Sequence, residues 1–133
     1  MSHVLVVEDD PHNAILFRKL LERRGGFTVT LSESTEEILK LTQSGAVDLV
    51  IMDVSLANTR HQGQNVGGVE LCHMIKNHPM SAAIPVILAT AHAMRGDAET
   101  LLAESGANDY VAKPIVDHEA FVAQVKSQLG EAA

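Results

Sequence analysis

Five residues suited to phosphoryl chemistry follow short apolar runs in this chain. Val4–Val7 leads into Glu8-Asp9, Leu49–Met52 into Asp53, Val86–Ala89 into Thr90, and Val111-Ala112 into Lys113. Carboxylates can hold a hard divalent cation, while a hydroxyl and an ammonium can grip phosphoryl oxygens. Residues so far apart in sequence meet only if the apolar runs are parallel strands, whose carboxyl ends gather along one edge of a sheet.

The intervening segments supply the elements such a sheet needs. Apolar runs alternate with longer stretches of helical period, the pattern of parallel strands joined by crossover helices. Five βα units fit, with strands near His3–Glu8, Phe27–Leu31, Val47–Asp53, Pro85–Thr90 and Asp109–Ala112. The first, third and fourth runs are continuously apolar, as interior strands covered on both faces must be, whereas Phe27, Val29 and Leu31 alternate as on an edge. Asp10-Pro11 starts the first helix, with the acid as cap and proline at the first helical position. Gly25-Gly26 stops it. Ser34 and Glu37 have capping-box spacing for a second helix ending near Gly45. Leu101 and Leu102 mark the apolar face of a helix ending near Gly106, and Phe121, Val125 and Leu129 that of the last. No repeat or linker divides the 133 residues, so a single domain spanning 1–133, without an output domain, is expected.

Composition narrows the function. Seventeen acidic residues against ten basic ones give a formal charge of −7. Nucleic-acid binding relies on clustered Lys and Arg, so no nucleic-acid partner is expected. Arg18, Lys19, Arg23 and Arg24, the one basic cluster, read as a solvated helix face. No apolar run approaches the roughly 20 residues of a membrane span, and Met1-Ser2-His3 does not open a signal peptide. The expected location is the cytoplasm, without membrane association. The lone Cys72 precludes an internal disulfide and fits buried packing.

Taken in order, Val6-Val7-Glu8-Asp9-Asp10, Ile51-Met52-Asp53, Leu88-Ala89-Thr90-Ala91 and Ala112-Lys113-Pro114 resemble the receiver domains of two-component response regulators, the CheY-like superfamily. Thr90 to Asp97 and Lys113-Pro114-Ile115 resemble DivK-type single-domain regulators in particular. The resemblance implies a single doubly wound (βα)5 domain of flavodoxin-like α/β type, with a five-stranded parallel sheet of order 2-1-3-4-5. It implies that Asp53 accepts a phosphoryl group from a sensor histidine kinase or a histidine-phosphotransfer protein, in a Mg²⁺-dependent reaction. Glu8, Asp9, Asp53 and the backbone carbonyl of Ser55 would hold the Mg²⁺. Thr90, Lys113 and Tyr110 would bind the phosphoryl group and throw the switch toward a downstream protein target. Ser55 and His92 would tune dephosphorylation, and Lys113-Pro114 would be a cis peptide. Catalysis would be limited to self-phosphorylation from a donor and slow self-dephosphorylation, so no enzyme in the ordinary sense is expected. A stand-alone regulator is the primary reading; the alternative is a phosphorelay intermediate that passes the group to a histidine-phosphotransfer protein.

The remaining features bear on detail. Asp10 reads as a helix cap rather than a further metal ligand. The seven histidines lack paired ligand spacing. Gly67-Gly68-Val69-Glu70-Leu71 resembles the family's opening of the third helix, but about seven residues later than usual. The polar stretch from Ser55 to Gly68 is therefore expected to be a long surface loop containing an insertion beside Asp53.

Overall fold

The computed structural model describes residues 2–54, 60–61, 64–65, 67–91 and 95–130. Its elements run β1 (His3–Val7), α1 (Pro11–Lys19), β2 (Thr28–Leu31), α2 (Thr35–Gln43), β3 (Leu49–Asp53), β4 (Arg60–His61), β5 (Gln64–Asn65), α3 (Gly68–Lys76), β6 (Val86–Thr90), α4 (Arg95–Ser105), β7 (Asp109–Ala112) and α5 (His118–Gln128). Five strands form one sheet in the order β2-β1-β3-β6-β7, with every adjacent pair parallel. Counting the strands of this sheet alone, the order is 2-1-3-4-5, as the resemblance implied.

The three continuously apolar runs are the three interior strands β1, β3 and β6. Their successive side chains enter opposite layers. Val4, Val6, Leu49, Ile51, Ile87 and Ala89 pack with Phe17 and Leu21 on one side and with Phe121 and Val125 of α5. Leu5, Val7, Val50, Met52, Val86 and Leu88 pack with Ile38 of α2 and Leu71, Cys72 and Ile75 of α3 on the other. Phe17 and Phe121 meet with ring centroids 5.6 Å apart at 50°. Burying each of these rings contributes about 1.5–3 kcal/mol toward clamping α1 and α5 onto the sheet.

Helix starts follow the local chemistry. Asp10 accepts a hydrogen bond from His12 N, Ser34 from Glu37 N and Asp117 from Ala120 N. The end of the first helix departs from the simple expectation: Leu20–Arg24 forms a π-helical turn before Gly25-Gly26 stops the helix. Gly26 has φ +70°, a left-handed conformation that glycine adopts without strain. Strand boundaries also shift slightly. Phe27 N donates to Leu21 O of that turn, so β2 begins at Thr28. Glu8 lies one residue beyond β1, in the turn leading to α1. The stretch expected to be simple loop contains a short antiparallel pair, with Arg60 opposite Asn65 and His61 opposite Gln64.

Candidate functional site

Register decides which residues meet. Val7 pairs with Met52, so Glu8 and Asp53 emerge side by side at the carboxyl ends of β1 and β3. Asp53 pairs with Ala89 and Thr90 with Ala112, which brings the hydroxyl and then Lys113 to the same edge. Lys113 N donates to Thr90 O at 2.9 Å, fixing the lysine's departure from β7. The Lys113–Pro114 peptide is cis.

Glu8, Asp53 and Thr90 are all buried, with no more than 5% of their surface exposed, and Asp9 is half-buried. Lys113 Nζ donates to Asp53 Oδ1 at 2.8 Å and to Glu8 Oε1 at 3.2 Å. Asp10 N donates to the other Glu8 oxygen at 3.3 Å. Ligand oxygens of Glu8, Asp9 and Asp53 lie within 4.8 Å of one another. Beside them opens a cleft of about 270 Å³ walled by Pro11, Ala14, Leu31 and Ser32.

Electrostatics follow from crowding these charges in a buried place. Burial raises the Glu8 carboxyl, and the hydrogen bond and negative charge of Asp53 raise it further, to about 7 from an ordinary 4.5. The Asp10 amide and Lys113 oppose that rise only in part. For Lys113, burial pulls the ammonium down, but Asp53 and Glu8 outweigh it and hold the group above its usual range. The lysine is thus firmly cationic between two acids, one of which protonates near neutrality. Such a cluster suits a divalent cation, whose charge stabilises carboxylates that otherwise repel one another.

The structure therefore brings together Glu8, Asp9, Asp53, Thr90 and Lys113. Tyr110 stands apart on β7, half-buried, its side chain packed against the Leu88 and Leu71 layer of the core. Ser55 and His92 fall outside the described residues. Gly68 has a role that its sequence pattern alone did not reveal. At the start of α3 it lies so close to the end of β3 that a Cβ there would stand 1.9 Å from Asp53 O. Its N–H donates to Val54 O at 3.4 Å. The signal in the sequence was a glycine pair where a side-chain cap is usual.

A parallel sheet of this order with three acids, a hydroxyl and a lysine at its carboxyl edge is the arrangement that the sequence resemblance implied. The chain belongs to the response regulator receiver domain family, which it matches over residues 4–126. Such domains are signalling modules of two-component systems rather than metabolic catalysts.

Among its relatives is the polar-differentiation response regulator DivK of Brucella ovis, 36% identical over 129 residues that make up 97% of both chains. A response regulator structure from Chloroflexus aurantiacus superposes with a TM-score of 0.82 at 30% identity, covering 98% of each chain. The receiver domain of a sensor histidine kinase from Pseudomonas aeruginosa superposes with a TM-score of 0.80 at 27% identity, covering 98% of each. That receiver holds a magnesium ion in its active site cleft. The chain is thus DivK-like over 97% of its length. No helix among the described residues is long and apolar enough to cross a membrane.

Proposed function

We propose that this chain works as a stand-alone response regulator, phosphorylated on Asp53 by a sensor histidine kinase or a histidine-phosphotransfer protein, and that the phosphorylated form binds a downstream protein. The observation that carries this reading is the Lys113 ammonium, 2.8 Å from Asp53 Oδ1 and 3.2 Å from Glu8 Oε1 in a buried acidic cluster.

The Asp53 carboxylate is the nucleophile: an oxygen–phosphorus bond forms as the phosphorus–nitrogen bond of the donor phosphohistidine breaks. In-line phosphoryl transfer needs mainly alignment and neutralised charge. Alignment comes from the buried end of β3, packed beneath α3 at Gly68. Lys113 supplies positive charge at the reacting carboxylate. Glu8, Asp9 and Asp53, with the Ser55 carbonyl, would hold Mg²⁺, which when bound supplies the remaining charge neutralisation. Thr90 at the adjacent strand end would receive the phosphoryl oxygens, and Tyr110 on the following strand would report the change. The phosphoryl group adds charge and strong acceptor oxygens where one carboxylate stood, biasing a two-state element.

A direct test is labelling with a small phosphodonor, with and without Mg²⁺, followed by hydroxylamine treatment. The proposal expects Mg²⁺-dependent label that hydroxylamine releases, as for an acyl phosphate. Label resistant to hydroxylamine would place the phosphoryl group on another residue type and overturn it.

A further inference from the structure

The strand that carries Tyr110 is an edge of the sheet, and an edge leaves alternate backbone groups without a ladder partner. Lys113 N donates to Thr90 O, so residues 109, 111 and 113 face β6. Backbone groups alternate along a strand, so those of Tyr110 face outward. Both are nonetheless occupied. Tyr110 N donates to Asp109 Oδ1 at 2.8 Å, and Gln124 Nε2 on α5 donates to Tyr110 O at 2.7 Å. The same Gln124 nitrogen donates to Asp109 Oδ2 at 2.9 Å. One amide of α5 therefore holds the backbone oxygen of the tyrosine directly and its backbone nitrogen through Asp109.

We infer that Gln124 is a positioning residue that clamps the Tyr110 backbone to α5, so that a change at the phosphorylation edge moves α5 together with β7. This inference rests on the receiver reading for its trigger but not for the clamp itself. A tyrosine whose backbone is fixed can respond by moving its side chain, and whatever displacement β7 undergoes passes to α5 through two short hydrogen bonds. The contact needs a donor of the right reach rather than an amide as such. Lysine at 124 can donate to both acceptors, whereas leucine fills similar space and donates to neither.

The experiment compares the full chain with Gln124→Leu and Gln124→Lys by NMR. Without any phosphoryl mimic, amide exchange at Tyr110 should accelerate roughly tenfold in the leucine variant, the loss expected for a hydrogen bond to a charged acceptor. It should stay near the wild-type rate in the lysine variant. With beryllium fluoride and Mg²⁺, amides of β3 and β6 near the site should shift equally in all three proteins. Shifts in α5 should be lost in Gln124→Leu and kept in Gln124→Lys. Unchanged Tyr110 exchange, or undiminished α5 shifts in the leucine variant, overturns the clamp. A wild-type chain that shows no shift near Asp53 instead overturns the receiver reading, and the transmission claim with it; the exchange comparison still decides whether the clamp exists.

Discussion

Substituting Gly68 by alanine tests whether the close seat of α3 on β3 is required. The added Cβ would meet Asp53 O at 1.9 Å, Asp53 C at 2.8 Å and Val54 Cα at 3.0 Å, all backbone atoms that cannot rotate away. Ordinary contact begins near 3.4 Å, so the first turn of α3 or the end of β3 must give way by about 1.5 Å. Overpacking costs about 1–3 kcal/mol, and a clash with backbone belongs at the upper end. For a chain of this length about 3 kcal/mol lowers Tm by roughly 10 °C. Because the atoms displaced are those of the proposed acceptor Asp53, labelling should also slow, on the order of 10²-fold for a misplacement of about 1 Å. Gly67→Ala is the control: its Cβ would meet nothing nearer than 3.9 Å. Its backbone lies at φ −83°, open to any residue, so stability should change by no more than about 1 kcal/mol. Thermal unfolding and phosphodonor labelling of both variants read these effects. Equal behaviour of the two variants, or a Gly68→Ala protein that labels at the wild-type rate, would refute the reasoning.

Three further outcomes follow from the same structure. In Mg²⁺-free solution the folded Glu8 carboxyl titrates near 7 against 4.5 for an ordinary one, so its favourable neutral form persists at low pH and is lost as pH rises through 7. Urea unfolding should show Glu8→Gln gaining on the wild type between pH 4.5 and 8, by at most roughly 3 kcal/mol; a constant difference would contradict the raised carboxyl. Cys72 is fully buried, and burial lifts its thiol to about 11 despite the opposing influence of Ser105 and Lys76. At pH 8 this leaves on the order of one thiolate in a thousand, so a disulfide reagent should label the native chain far more slowly than the denatured one; comparable rates would show the thiol to be accessible. Tyr110→Ala should label normally at Asp53 yet bind the downstream protein roughly tenfold more weakly, measured by calorimetry on the phosphorylated forms. Unaltered affinity would remove Tyr110 from the switch.

Legibility varied with how strongly burial constrained each segment. The interior strands were visible because a strand covered on both faces must be continuously apolar, and Val4–Val7, Leu49–Met52 and Val86–Ala89 each feed two layers of core. The caps at Asp10 and Ser34 were visible because each is a single short-range hydrogen bond. The π-helical turn at Leu20–Arg24 was not, since α and π winding use the same residue types and nothing in the local pattern marks the backbone bond from Phe27 N to Leu21 O that follows it. Nor was the pairing of Arg60–His61 with Gln64–Asn65, where a run of polar residues carries no apolar alternation to mark a strand. At the site, the order of the apolar runs anticipated that Glu8, Asp9, Asp53, Thr90 and Lys113 would meet, because parallel strands gather their carboxyl ends along one edge. The nearness of Gly68 to Asp53 and the reach of Gln124 to Tyr110 depend on how elements dock, which no local pattern encodes.

The proposed function turns on Asp53 accepting the phosphoryl group. Intact-mass spectrometry after incubation with a small phosphodonor, on the native chain and on Asp53→Asn, with and without Mg²⁺, tests it most directly. One Mg²⁺-dependent phosphoryl adduct is expected on the native chain and none on the variant. An adduct of equal yield on Asp53→Asn, or none on the native chain, would contradict it.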